Sequence, residues 1–283
     1  MRFAKAYVEI TNVCNLNCSF CPKTTRPPRF MSRTEFRVIL ERLKGYTEFL
    51  YFHLMGEPLL HPEVFAFFEL AHEMGYRVIL TTNGTCLPDV GERLLSAPGL
   101  HKVNLSLQSF EANQTGSIYD YVNQCASFAA RAGEQGILIN LRLWNLDGSE
   151  ASGRNRENQR ILSILSEVFP KPWLPSRGGQ KLAERVYLNW GETFRWPDPN
   201  REDVNLHHFC YGLKDQIGIL CDGTVVPCCL DHDAGLPLGN LFTEDVESIL
   251  SKPRTLAMIR GFQAGKAVEH LCQRCGYANR FHS

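Results

Sequence analysis

Cys14-Asn15-Leu16-Asn17-Cys18-Ser19-Phe20-Cys21 is the stretch on which the reading of the whole chain turns. Its three cysteines stand at C-x3-C-x2-C, directly after the short apolar-alternating run Ala6-Tyr7-Val8-Glu9-Ile10-Thr11. Three thiolates on one short loop can hold three corners of an iron–sulfur cube, and the next cysteine is as distant as Cys86. A four-iron cluster ordinarily takes four cysteine ligands, so one iron is left for something that is not protein. Structural zinc fits less well, because it wants four ligands in closed tetrahedral geometry, usually from paired knuckles. A disulfide reading needs an oxidising compartment and leaves an odd thiol.

The composition around this loop is that of an ordinary globular protein, 44% hydrophobic and 21% charged over 283 residues. Such a length suits one large α/β domain, or one with a small appendage. Basic and acidic residues balance at 30 each, so no long-range field favours nucleic acid or an anionic membrane. No window resembles a signal peptide or a membrane span. Eleven cysteines without an export signal point to metal ligation in a reducing cytoplasm.

Strand and helix patterns alternate after the loop. Ser32 with Glu35 three residues on predicts a capping box that opens a helix through about Leu43. Buried-strand patterns cover Glu48 to Leu54, Arg77 to Thr82, Lys102 to Leu107 and Leu138 to Leu143, with a sixth at Arg185 to Trp190. Helical patterns lie between them, from His61 to Gly75, Leu87 to Ala97, Ile118 to Gln135 and Arg154 to Val168. This rhythm predicts an α/β fold, a partial parallel β/α barrel of about six strands. Polar and glycine residues gather at the strand ends (Gly56-Glu57, Asn83-Gly84, Ser106 to Ser109, Asn145), the face where such barrels place their chemistry.

Residues 170–205 break the rhythm with Pro170, Pro172, Pro175, Pro197, Pro199 and Gly178-Gly179, and read as a linker or irregular lid. Beyond them, Gln216 to Leu220 and Thr224 to Cys228 flank the turn Asp222-Gly223 as a hairpin. The expected division is a barrel over 1–190, a linker over 191–205 and a small C-terminal α+β domain over 206–283.

With these residues in place, the chain resembles the radical S-adenosylmethionine (SAM) superfamily. Cys14, Cys18 and Cys21 with Phe20 are similar to its signature, Gly56-Glu57-Pro58 to its Gly-Gly-Glu element, and Ser106 to its strand-end polar residue; Met55 stands where the family's first glycine would be. The resemblance implies a [4Fe–4S] cluster on Cys14, Cys18 and Cys21, with SAM chelating its open iron. It further implies that Glu57 and the carbonyls around Gly56 hold the SAM ammonium and that Phe20 flanks the adenine. Asn83 and Ser106 are candidate ribose contacts, and Arg142 a candidate partner for the SAM carboxylate. Each of these last three reads equally well as a strand-end hydrogen-bonding residue.

The later cysteines carry a second resemblance. Cys210, Gly223-x4-Cys228 and Cys272-x2-Cys275 are similar to the twitch form of the SPASM domain, which implies one auxiliary [4Fe–4S] cluster on Cys210, Cys228, Cys272 and Cys275. Cys229 reads as a buried thiol or, following relatives, as a catalytic base or hydrogen donor; Asp231 or Asp233 is the alternative base. Cys86 and Cys125 read as small buried residues, and Cys221 as a strand residue or a replacement ligand. His207-His208 would tune the auxiliary cluster, His53 and His61 are structural, and Lys23 to Arg29 form a solvated basic loop. The expected activity is hydrogen abstraction from, and dehydrogenation of, a small polar or sugar-like molecule by a cytoplasmic oxidoreductase fed by a flavodoxin- or ferredoxin-type reductant. Alternatives are maturation of a ribosomal peptide or protein side chain, radical epimerisation, and electron transfer or redox sensing without catalysis. Only thirteen residues precede Cys14, which leans against a peptide-recognition domain.

Overall fold

In the computed structural model, which describes residues 2–112, 116–146 and 156–281, the chain closes back on its own first strand. β1 (Lys5–Val8), β2 (Phe49–Phe52), β3 (Arg77–Thr82), β4 (Leu100–Ser106) and β5 (Leu138–Leu146) pair in parallel in that order. Helices α1 (Arg33–Leu43), α2 (Val64–Glu73), α3 (Leu87–Leu95) and α4 (Ile118–Glu134) make the crossovers. Then α5 (Arg156–Val168) leads to a meander of β6 (Leu174–Ser176), β7 (Gly179–Ala183) and β8 (Val186–Glu192). β8 adds the sixth parallel strand beside β5, so the partial barrel stands. The expected start of α5 at Arg154 lies outside the described residues.

Local chemistry accounts for the elements. The Ser32 side chain accepts from Glu35 N–H and the Glu35 carboxylate accepts from Ser32 N–H, the reciprocal cap that starts α1. β6 and β7 lie in the stretch expected to be irregular, and Pro175 disguised them. β6 is the outermost strand of the sheet, where a missing N–H breaks no ladder. No described helix is long and apolar enough to cross a membrane.

C-terminal to the barrel, β9 (Gln216–Ile219), β10 (Thr224–Val226) and β11 (Gly239–Asn240) precede α6 (Val246–Ser251), α7 (Pro253–Gln263) and α8 (His270–Gln273). β9 pairs in parallel with β1, placing Val8 opposite Ile219. The hairpin is therefore continuous with the barrel sheet, whose eleven described strands run β11-β10-β9-β1-β2-β3-β4-β5-β8-β7-β6. Its turn needs Gly223: φ is +82° and a Cβ would sit 2.6 Å from Asn240 Oδ1.

The two faces of the sheet differ sharply. Val8, Leu50, Leu80, Val103, Leu141 and Leu188 are fully buried in the apolar core on one side. The other parity places Tyr7 opposite Tyr51, Thr81 opposite Asn104, Asn104 opposite Asn140, and Arg142 between Ser106 and Asn189. An eight-stranded barrel fills its interior with layers of branched apolar side chains. Here the inner face is polar, which is how a ligand cavity is lined.

Candidate active site

The cysteine loop is tied down at its base. Thr11 Oγ1 donates to Arg29 O at 2.8 Å and Asn12 Nδ2 to Pro27 O at 2.9 Å, so the ends of the excursion lie side by side. Cys14 is exposed, Cys18 buried and Cys21 half-buried. Burial raises the Cys14 and Cys18 thiols, Cys18 to about 12, with Cys14 and Cys21 adding like charge. Such thiols stay protonated until a metal replaces the proton.

Gly56 presses on this base. Its φ is +77°, and a Cβ there would lie 2.4 Å from Thr11 O and 2.9 Å from Val13 O. The loop after β2 therefore approaches the backbone leading to Cys14 as only glycine allows. The Glu57 carboxylate, 2% exposed, accepts from Leu59 N at 3.0 Å and Asn83 N at 2.7 Å. Burial raises its pKa to about 7 against these hydrogen bonds. Glu57 ties the β2 loop to the end of β3 with one backbone hydrogen bond to each oxygen, which leaves acceptor sites on the carboxylate and the backbone carbonyls near Gly56 for a ligand. Asn83 Nδ2 donates to Asn15 Oδ1 at 2.9 Å and stands 3.9 Å from Cys14 Sγ, bracing the cysteine loop. Phe20 is half-buried, and its carbonyl accepts from Trp196 Nε1 at 2.9 Å. Ser106 is half-buried at the end of β4, beside Arg142. Three thiols and a backbone cradle that a Cβ would fill fit an open-iron cluster with SAM.

The second cysteine set converges on one cavity, lined by Cys210, Cys228, Cys272, Cys275, His208 and Asp231. Burial, then the neighbouring thiols, raises the Cys228 and Cys272 pKa values well above the ordinary range. Four thiols are the number that a [4Fe–4S] cluster takes, and they gather around this one cavity. Cys221 lies elsewhere, 3.7 Å from Arg26 Nη1. Asp231 accepts from Gly235 N at 2.7 Å and Leu236 N at 2.8 Å, which holds a turn. Asp233 is likewise engaged, by Thr24 and Thr25. His61 bonds Met31 O at 2.8 Å, a structural task as expected.

Cys229 turns the other way, toward the barrel. It interacts with the Tyr7 hydroxyl and lies 3.9 Å from Gln216 Oε1; burial raises its pKa to about 11, so it stays a thiol. Sequence reasoning missed this lumen, including Tyr7, Tyr51 and Tyr277; alternate polar positions along β1 and β2 were the signal. It also misjudged Lys23 to Arg29 as solvated. Arg26 forms a buried bidentate pair with Glu9 at 2.7 and 2.8 Å, and Arg29 bonds Cys221 O at 2.9 Å. Residues 193–201 strap the strand-end face, through Trp196 on Phe20 and the Phe194 ring 4.9 Å from that of Tyr277.

Comparison with known proteins agrees with this geometry. The profile of the radical SAM superfamily matches residues 8–129, and that of the iron–sulfur cluster-binding SPASM domain residues 210–276. Residues 8–129 thus carry a radical SAM domain, and residues 210–276 a C-terminal SPASM domain. The chain binds SAM, a [4Fe–4S] cluster and an auxiliary cluster. An AdoMet-dependent heme synthase of Methanosarcina barkeri is 31% identical over 108 residues, 37% of this chain and 31% of that protein. The chain thus spans about a third of the length of that relative. In fold it is similar to Streptococcus suis SuiB bound to S-adenosylmethionine (TM-score 0.63, 15% identity, 98% of this chain and 74% of that one). BtrN in complex with AdoMet and 2-DOIA is also similar (TM-score 0.55, 16% identity, 97% and 94%).

Proposed function

We propose that this radical SAM enzyme abstracts a hydrogen atom from a small polar molecule held in the barrel lumen and completes its oxidation there. Bound at the two sites, SAM and the clusters supply reductive cleavage to a 5′-deoxyadenosyl radical and an acceptor for the second electron. The observation that carries the reading is the placement of two adjacent residues. Cys228 lines the four-cysteine cavity while Cys229 faces the lumen, so one peptide unit separates the auxiliary site from the substrate space. The lumen's asparagines and phenols offer hydrogen bonds to a hydroxylated or aminated molecule. The strap at 193–201 crosses the strand-end face through Trp196 and Phe194, and we read it as favouring a small molecule over a peptide. BtrN in complex with AdoMet and 2-DOIA and SuiB bound to its precursor peptide SuiA both share this fold, so the choice rests on the lumen and not on the fold. A flavodoxin- or ferredoxin-type protein in the cytoplasm is the proposed electron source.

Deoxyadenosine formation by anaerobically reconstituted protein, with reductant and either a small-molecule or a peptide fraction, tests the reading. Acceleration by the small-molecule fraction alone is expected; acceleration by peptides alone overturns it. The protonated Cys229 thiol favours a second reading, epimerisation by hydrogen return. Solvent deuterium in an otherwise unchanged product, lost in Cys229→Ala, would select that one.

A further inference from the structure

Arg142 has no anionic partner among the described residues. It stands on β5 between Ser106 and Asn189, with its guanidinium carbon 4.4 Å from the Trp144 ring centroid. Its Nε–H is buried and reaches no acceptor, and no ion pair among the described residues includes it. The groups gathered around it are Tyr7, Tyr51, Tyr277 and Cys229, which offer hydrogen bonds and no full counter-charge at neutral pH. Lys102, the next cation along the lumen, is also outside every described ion pair, and burial followed by Arg142 and Lys5 lowers its pKa to about 8. Burying positive charge without an anion is costly, and a flat guanidinium donor set matches a carboxylate or phosphate.

We propose that the substrate carries a carboxylate or phosphate group and that Arg142 receives it in the lumen. This rests on the lumen being the substrate site, and it moves Arg142 away from the SAM carboxylate expected from the sequence. The residues that fit SAM, Cys14, Gly56 and Asn83, are not among those that act most strongly on the guanidinium.

Calorimetric titration of the full chain, reconstituted and saturated with SAM, tests the proposal with inorganic phosphate, acetate and neutral myo-inositol as probes. Saturable binding of one anion and none of inositol is expected, and the tighter anion names the group. Arg142→Met should weaken that binding about tenfold or more, the loss of a charge-assisted hydrogen-bonded contact, while SAM affinity stays within about twofold. Arg142→Lys keeps the charge without the fork and should fall between. If Arg142→Met fails to fold, Arg142→Lys is read by the same criterion. Unchanged anion binding in the variant, or no saturable anion binding in wild type, overturns the proposal. Loss of SAM affinity in its place overturns it too, returning Arg142 to the cofactor. Failure of the enzyme reading looks different: wild type would bind the anion yet form no deoxyadenosine.

Discussion

Arg26→Met should unsettle the protein far more than removal of a loop arginine ordinarily does. Glu9 is 1% exposed and its carboxylate accepts four hydrogen bonds: two from Arg26, and one each from Met55 N and Cys221 N, both at 3.2 Å. The arginine side chain of the pair is 13% exposed and the glutamate 0%. Removing one member of such a pair leaves a buried charge uncompensated and costs about 3–5 kcal/mol. Two backbone N–H donors remain to Glu9, so the lower end, about 3 kcal/mol, is expected. For a chain of this size that is a fall of about 5 °C in the thermal midpoint, scaled from the entropy of unfolding. The assay is anaerobic thermal unfolding of wild type, Arg26→Met, Glu9→Gln and the double variant at matched iron content. The double variant should recover at least half the loss, because a neutral side chain at position 9 no longer needs the cation. A midpoint within about 2 °C of wild type for Arg26→Met would refute the reasoning, since exposed pairs are worth only that much.

Three further outcomes follow from the same geometry. Cys228→Ser should reduce iron from about eight to about four per chain while Cys229→Ser keeps about eight, as iron and sulfide analysis would show; equal loss in both would mean that the two thiols do not face different spaces. Gly56→Ala adds about 1–2 kcal/mol of left-handed backbone strain to a backbone overlap, so its thermal midpoint should fall and its iron drop toward about four; wild-type iron content would count against the cradle. Glu57 has a folded pKa of about 7, above the ordinary glutamate value, so the unfolded chain releases this proton first as pH rises. Its stabilising contribution is full below about pH 4.3 and is lost through pH 7, a swing of about 4 kcal/mol at most. SAM-free wild type should therefore lose stability relative to Glu57→Gln between pH 5 and 8, and a pH-independent difference in midpoints would contradict it.

How much of this was legible varied with the range of the interaction. Local signals read well: the Ser32–Glu35 box starts α1, and Arg77–Thr82 is β3 to the residue. The cysteine spacings brought together the thiols they promised at Cys210, Cys228, Cys272 and Cys275. Non-local pairing did not read. Nothing in Gln216–Ile219 announces β1 as its neighbour, because a parallel ladder leaves no trace in either strand's own alternation. Glu9 was a missed clue, since a carboxylate inside an apolar run calls for a buried partner, and the next loop offered Lys23, Arg26 and Arg29. Glu57 and Asp231 illustrate another limit. Sequence shows which side chains can bind a ligand, but only the folded chain shows that backbone N–H groups also engage them.

The β1–β9 ladder also bears on how the two cysteine sites stay in register. The first cysteine loop leaves the end of β1, and Cys221 leaves the end of β9, with adjacent strands held about 4.8 Å apart by main-chain hydrogen bonds. Just beyond the paired residues, Glu9 Oε1 accepts from Cys221 N, and Arg26 from the cysteine loop clamps the same carboxylate. Arg26 Nε continues to His232 O, and Asp233 takes Thr24 and Thr25. The segment that bears Cys228 is thus fastened to the loop that bears Cys14 by a ladder and a buried ion pair, with the strap at 193–201 as a third tie. Spacing set in this way responds to changes at Glu9 and Arg26 more than to changes of length in the connecting segment. An insertion near Asn200, where the chain is exposed, should leave both clusters and their separation intact, measurable as unchanged dipolar coupling between them by EPR. Loss of that coupling on insertion alone would mean that the linker, and not the ladder, sets the distance.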